Sequence, residues 1–211
     1  AATPSTTPGA PTGVAGTAGA GQVTVTWSAP TETGGSDVTS YTATATPDGA
    51  FCISTSALTC DITGLTNGTE YTFRAKATNA NGAGSNSSAS AGVTPVTTPG
   101  VPTSPSGAAD DASVVLTWTA PTDTGGTAVT DYTVESSSDS GTTWTAFSHD
   151  AATTASLRVT GLTNGTAYTF RVSAVNAVGT GTASATASAT PVTTPTAATS
   201  VAGTAGNVQV A

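Results

Sequence analysis

Basic residues are scarce in this chain: Lys and Arg together number 4 in 211 residues, against 12 Asp and Glu, for a net charge of −8. Phosphate neutralisation needs a basic patch, so nucleic-acid binding is excluded as a function class. The same deficit argues against attraction to an anionic membrane surface. Long hydrophobic runs are also missing. No stretch approaches the ~18 apolar residues of a membrane span, so no membrane insertion is expected. There is one histidine, His149, and there are two cysteines, Cys52 and Cys60. A zinc site needs three or four Cys or His ligands, which these cannot supply. No cofactor is expected. Methionine is absent and charged residues reach only 8%. Polarity therefore comes from threonine, serine and asparagine, and abundant β-branched threonine favours strands over helices.

What the chain has is repetition. Thr6-Thr7-Pro8-Gly9-Ala10-Pro11-Thr12 returns 91 residues later as Thr97-Thr98-Pro99-Gly100-Val101-Pro102-Thr103. Gly64-Leu65-Thr66-Asn67-Gly68-Thr69 returns 97 residues later as Gly161-Leu162-Thr163-Asn164-Gly165-Thr166. The second copy thus carries about six extra residues, and a period above ninety suits a whole small domain rather than a solenoid unit. Val201-Ala202-Gly203-Thr204-Ala205-Gly206 repeats Val14-Ala15-Gly16-Thr17-Ala18-Gly19, which marks the start of a third copy. The expected organisation is a linker at 1–7, a domain at 8–95, a linker at 96–99, a domain at 100–191, and a linker with an incomplete third repeat at 192–211. Ala1 falls within a linker, so the chain reads as mature protein or as one window on a longer repeating fibre or stalk.

Within each copy the strands announce themselves by period-two alternation. Tyr71-Thr72-Phe73-Arg74-Ala75-Lys76-Ala77 and Tyr168-Thr169-Phe170-Arg171-Val172-Ser173-Ala174 place every other side chain in a core. Val23-Thr24-Val25-Thr26-Trp27 pairs with Val114-Val115-Leu116-Thr117-Trp118, and Tyr41-Thr42-Ala43-Thr44-Ala45 with Tyr132-Thr133-Val134-Glu135. Pro30 to Gly35 and Pro121 to Gly126 read as loops, and Asn67-Gly68 and Asn164-Gly165 as tight turns. Short strands divided by turns at this spacing indicate an all-β sandwich.

Trp27, Tyr41, Leu65 and Tyr71, echoed in order by Trp118, Tyr132, Leu162 and Tyr168, resemble the fibronectin type III pattern. The resemblance implies two tandem immunoglobulin-like β-sandwiches plus the first strands of a third. It implies that each tryptophan fills a core from the second strand, that each first tyrosine lies on the third, and that each Leu…Tyr pair forms a tyrosine corner. The composition and the Pro-x-x-x-Gly-Gly loops look most like bacterial secreted members. The family's Arg-Gly-Asp cell-binding loop is absent, so nothing about integrin binding follows.

Cys52 and Cys60 lie eight apart, and the even count in a chain of secreted type favours a disulfide over two buried thiols. Cys60 aligns with Leu157, so a bridge would replace core volume in the first copy. Trp144 and Phe147 in the longer second copy are expected to cover the same ground, or to form an exposed aromatic patch. His149 beside Ser148 and Asp150 suggests a triad, but a loop insertion rarely forms the concave site that one requires. Asp37, Asp110, Asp111 and Asp131 are too isolated for a calcium cage. Asn67, Asn86 and Asn164 stand in glycosylation sequons, two of them already explained by turn geometry.

The reading is a non-catalytic, extracellular, secreted or cell-surface module array. It acts as a spacer, stalk or fibre segment, with further repeats or copies of itself as partners. The alternative is the accessory region of a secreted polysaccharide-degrading enzyme, and a protein or glycan ligand stays open. Proline-bearing joints at Thr94 to Pro99 and Thr190 to Pro195 are expected to act as semi-rigid spacers with some bending.

Overall fold

A computed structural model describes residues 5–193. All but the first two residues of the expected third repeat, at 194–211, lie outside the described residues. The first domain contains β1 (Thr12–Gly19), β2 (Gln22–Ser28), β3 (Val38–Thr46), β4 (Phe51–Ser54), β5 (Thr59–Thr63), β6 (Thr72–Asn79) and β7 (Gly82–Ala83). One sheet runs β1-β2-β5 and the other β4-β3-β6-β7, all pairs antiparallel. The second domain repeats this with β8 (Thr103–Asp110), β9 (Ser113–Thr119), β10 (Val129–Ser137), β11 (Thr145–Ala146), β12 (Ser156–Thr160), β13 (Tyr168–Asn176) and β14 (Ala187–Ala189). Its sheets run β8-β9-β12 and β11-β10-β13-β14. Among the described residues there is no helix.

The alternation seen in sequence becomes two inward faces. Val23, Val25 and Trp27 of β2 meet Tyr41, Ala43 and Ala45 of β3 and Phe73, Ala75 and Ala77 of β6, all buried. In the second domain Val114, Leu116 and Trp118 meet Tyr132, Val134, Phe170, Val172 and Ala174. Each tryptophan packs on the first tyrosine of its own domain, Trp27–Tyr41 at 5.6 Å and Trp118–Tyr132 at 5.0 Å between ring centroids. The two clusters share no residue, so each sandwich has a complete core of its own.

The corners differ in depth. Tyr71 is fully buried beside Leu65, and its hydroxyl accepts from Thr66 N (3.1 Å) and donates to Asp48 (2.8 Å). Tyr168 accepts from Thr163 N at 3.2 Å, but both it and Leu162 are only half-buried against the second core. Asp48 lies in the β3–β4 turn of the first domain, and the second has a longer, different loop there, which leaves its corner more open.

Cys52 on β4 and Cys60 on β5 form a disulfide that ties the two sheets of the first domain together. In the second domain Leu157 and Phe147 pack on the core at the corresponding edge. Trp144 corrects the expectation of an aromatic pair. It does not join the core, because it lies under the Arg171 guanidinium, 4.2 Å from the ring centroid. Arg171 in turn donates twice to Glu135 (2.7 and 3.0 Å), and these bonds raise its pKa.

Candidate functional site: the interdomain joint

Where the domains meet, a tight turn of the first faces a double glycine of the second. The turn is Asn67-Gly68, between β5 and β6. Asn67 Oδ1 accepts from Gly21 N at 2.8 Å, and Gly68 N donates to the Pro95 carbonyl at 2.9 Å. The turn and the departing chain are thereby fastened to one another. Only Val96 separates Pro95 from Thr97, whose N–H donates to the Gly125 carbonyl of the second domain at 2.8 Å. Gly100 N donates to Asp123 O at 2.9 Å in the same loop. The covalent connection left without a backbone partner on either side is therefore a single residue.

The paired glycines have separate duties. Gly125 (φ 73°) admits the linker: a Cβ there would overlap the Thr97 carbonyl and stand 2.7 Å from that of Thr98. Gly126 (φ 85°) admits the neighbouring domain: a Cβ there would overlap Gly68 N and stand 2.8 Å from the Asn67 carbonyl carbon. From the other side, a Cβ on Gly68 would stand 3.0 Å from Gly126 Cα. Two backbones thus touch with no side chain between them, which only glycine allows.

Asn176, at the end of β13, holds this loop in place from behind. It is buried, and its Nδ2 donates to the carbonyls of Thr97 (2.8 Å) and Thr124 (2.9 Å). Its Oδ1 accepts from Val178 N and Gly179 N. Asn79 does the same in the first domain, donating to Thr6 O and Thr33 O, both at 2.8 Å. Sequence reading missed both asparagines. Their signal is the recurrence of Asn79-Ala80-Asn81-Gly82 as Asn176-Ala177-Val178-Gly179, where a polar amide closes an apolar alternation.

Buried serines were also missed. Ser87 Oγ accepts from Ala75 N (2.9 Å), Ser90 Oγ from Phe73 N (3.0 Å) and Ser184 Oγ from Val172 N (3.1 Å). Hydroxyls take the place of backbone carbonyls where the last segment of each sandwich runs along β6 or β13.

The remaining candidates are engaged elsewhere. His149 places Nε2 2.9 Å from Tyr132 O and Nδ1 2.8 Å from Asp150 O, so its ring nitrogens face backbone carbonyls rather than the Ser148 hydroxyl. Asp110 binds Arg158 at 2.5 Å, and that contact is the first cause of its lowered pKa. Asp111 accepts from Asn164 and Asp131 from Ala152 N, while Asp37 is exposed, so these carboxylates do not converge. Asn67 and Asn164 spend their side-chain oxygens on pinning turns, and Asn86 is exposed. Among the described residues no group of three or more His, Cys, Asp or Glu converges, and Asp123, the carboxylate of the joint's loop, accepts from Gly125 N. What the joint can do is fix one domain relative to the next.

Comparison with known proteins agrees with this architecture. The model of the fibronectin type III domain matches residues 9–93 and 101–190. The chain is 41% identical over 171 residues to chitinase A1 of Niallia circulans, covering 76% of this chain and 22% of that protein. It is 38% identical over 190 residues to exoglucanase B of Cellulomonas fimi, covering 84% of this chain and 16% of that protein. The chain therefore spans under a quarter of the length of either relative. A solved structure of the FN1–FN3 domains of chicken CNTN1 superposes with a TM-score of 0.49 at 21% identity, covering 88% of this chain and 67% of that one. Two cores, two disposed tryptophan–tyrosine pairs and two successive family matches make one statement: the chain belongs to the fibronectin type III family, as two tandem domains.

Proposed function

We propose that this chain is a non-catalytic extracellular spacer, which holds whatever flanks it at a set separation and orientation. The observation that carries the reading is the joint: one residue of free connection, and a glycine-on-glycine contact that a flexible tether would not need. A spacer with long Gly/Ser linkers would leave its ends at variable distance, whereas a one-residue connection restricts them. The Cys52–Cys60 disulfide supports an oxidising, extracellular setting.

Two surroundings fit such a spacer. A stalk or fibre of further repeats is one. The accessory region of a polysaccharide-degrading enzyme is the other, and the relatives named as a chitinase and an exoglucanase favour it specifically. In both, the chain itself contributes reach rather than chemistry. The test incubates the full chain with crystalline chitin and cellulose and measures retention and sugar release, alongside small-angle scattering of the free chain. Expected are no retention, no released sugar and a single narrow maximum dimension. Retention, hydrolysis or a broad spread of dimensions would each contradict the reading.

A further inference from the structure

The second domain carries, at its far end, the same surface that the first domain presents to Gly126. Asn164 Oδ1 accepts from Ala112 N at 2.9 Å, as Asn67 does from Gly21 N at 2.8 Å. Gly165 N donates to Pro191 O at 2.9 Å, the distance found between Gly68 N and Pro95 O. The turn glycines match in backbone conformation, with φ of 78° and 82°. Thr190-Pro191-Val192-Thr193 repeats Thr94-Pro95-Val96-Thr97 residue for residue. In the first domain this surface is covered. In the second, Asn164, Gly165 and Thr190 to Thr193 line an open hollow of about 370 Å³. A Cβ built on Gly165 meets no described atom within 4 Å.

We infer that this hollow is a docking seat for the Thr-Gly-Gly loop of another domain of this same kind, following in tandem. The inference rests on the spacer reading and adds its geometry: each joint in an array would repeat the one already present. Its occupant is specified by steric fit. The filled seat tolerates only a backbone without a Cβ, since Gly126 touches Gly68 N directly. The chain displays such a loop twice, as Thr33-Gly34-Gly35 and as Thr124-Gly125-Gly126. Both are presented by the same support, an asparagine amide to Thr33 O or Thr124 O and a linker N–H to Gly34 O or Gly125 O. The contacting groups are neutral backbone, so shape rather than charge selects the partner.

The test uses residues 1–193 continued in frame by a second copy of residues 98–193, giving three domains and two comparable joints. Residual dipolar couplings report how firmly each domain is aligned with its neighbour. The two joints should show the same orientation and the same degree of order. Gly165→Ala should free the third domain, and Gly68→Ala should free the first from the second. Gly161→Ala and Gly64→Ala are the controls. They impose the same strain at positive φ (75° and 76°), but a Cβ at either position meets nothing within 4 Å. They should leave both joints ordered. A third domain that tumbles independently while the first joint stays fixed overturns the seat and leaves the spacer reading intact. Independent tumbling at both joints overturns both, and controls that act as strongly as Gly165→Ala also overturn the seat.

Discussion

At the scale of single residues, part of the stability rests on buried polar groups that a hydropathy pattern ignores. Asn176→Ala removes the two donors that the Thr97 and Thr124 carbonyls accept from and leaves the Val178 N–H without its acceptor, while the Gly179 N–H keeps the backbone carbonyl of residue 176. Each buried group left unpaired costs about 1–3 kcal/mol, so the second domain should unfold well below its parent in a urea titration while the first is unmoved. Asn79→Ala should do the reverse. Ser87→Ala strands the Ala75 N–H behind β6 and should cost about 1–3 kcal/mol, where an ordinary surface serine costs under about 0.5. Asp139 gives a pH signature. Hydrogen bonds from Ser137, then from the Thr143 hydroxyl and N–H, lower its pKa from the usual 3.8 to about 2. Because the folded value is depressed, its contribution is present above the ordinary aspartate range and is lost as pH falls toward 2. Thermal melts of the second domain between pH 4 and pH 2 should therefore lose less stability in Asp139→Asn than in the parent.

At the scale of elements, what was legible in sequence and what was not divides along a physical line. β2, β3, β6 and their counterparts were readable because one face meets a core and the other water, which writes a period of two. β7, β11 and β14 have two or three residues, too few to carry a period. The serine-rich segment after β7 alternates nothing, since its N–H groups donate to β6 while serine hydroxyls, in place of its carbonyls, accept from β6. Trp144 was misplaced because its partner, Arg171, is aligned with it only across a folded sheet. The sheet edges offer a test of the two strategies for joining β4 or β11 to the opposite sheet. Reduction should destabilise the first domain by about 2–3 kcal/mol through the denatured chain it sets free, and leave the second at its original midpoint. Phe147→Ala should do the converse, lowering only the second, by somewhat less than the about 3–5 kcal/mol of a fully buried phenylalanine. Calorimetry of the oxidised and reduced chain resolves both outcomes.

At the scale of the whole molecule, the question is why so small a contact should govern orientation at all. Gly68 and Gly126 bring together almost no apolar area, so the contact alone would not hold two free domains together. The one-residue connection changes the balance: it keeps the seat and the loop at a high effective concentration, and a weak contact then stays populated. In the sequence the double glycine reads merely as a loop, because its second member is needed for a neighbour, not for its own domain. Inserting Gly-Ser-Gly-Ser after Val96 separates these causes. Four residues add up to ~13 Å of slack, enough to lift Gly126 off Gly68. The domains should keep their unfolding midpoints, because their cores share no residue. Small-angle scattering should meanwhile show a larger and broader distribution of dimensions. If both midpoints fell instead, the joint would be a stabilising interface, and the orientation it sets would be secondary.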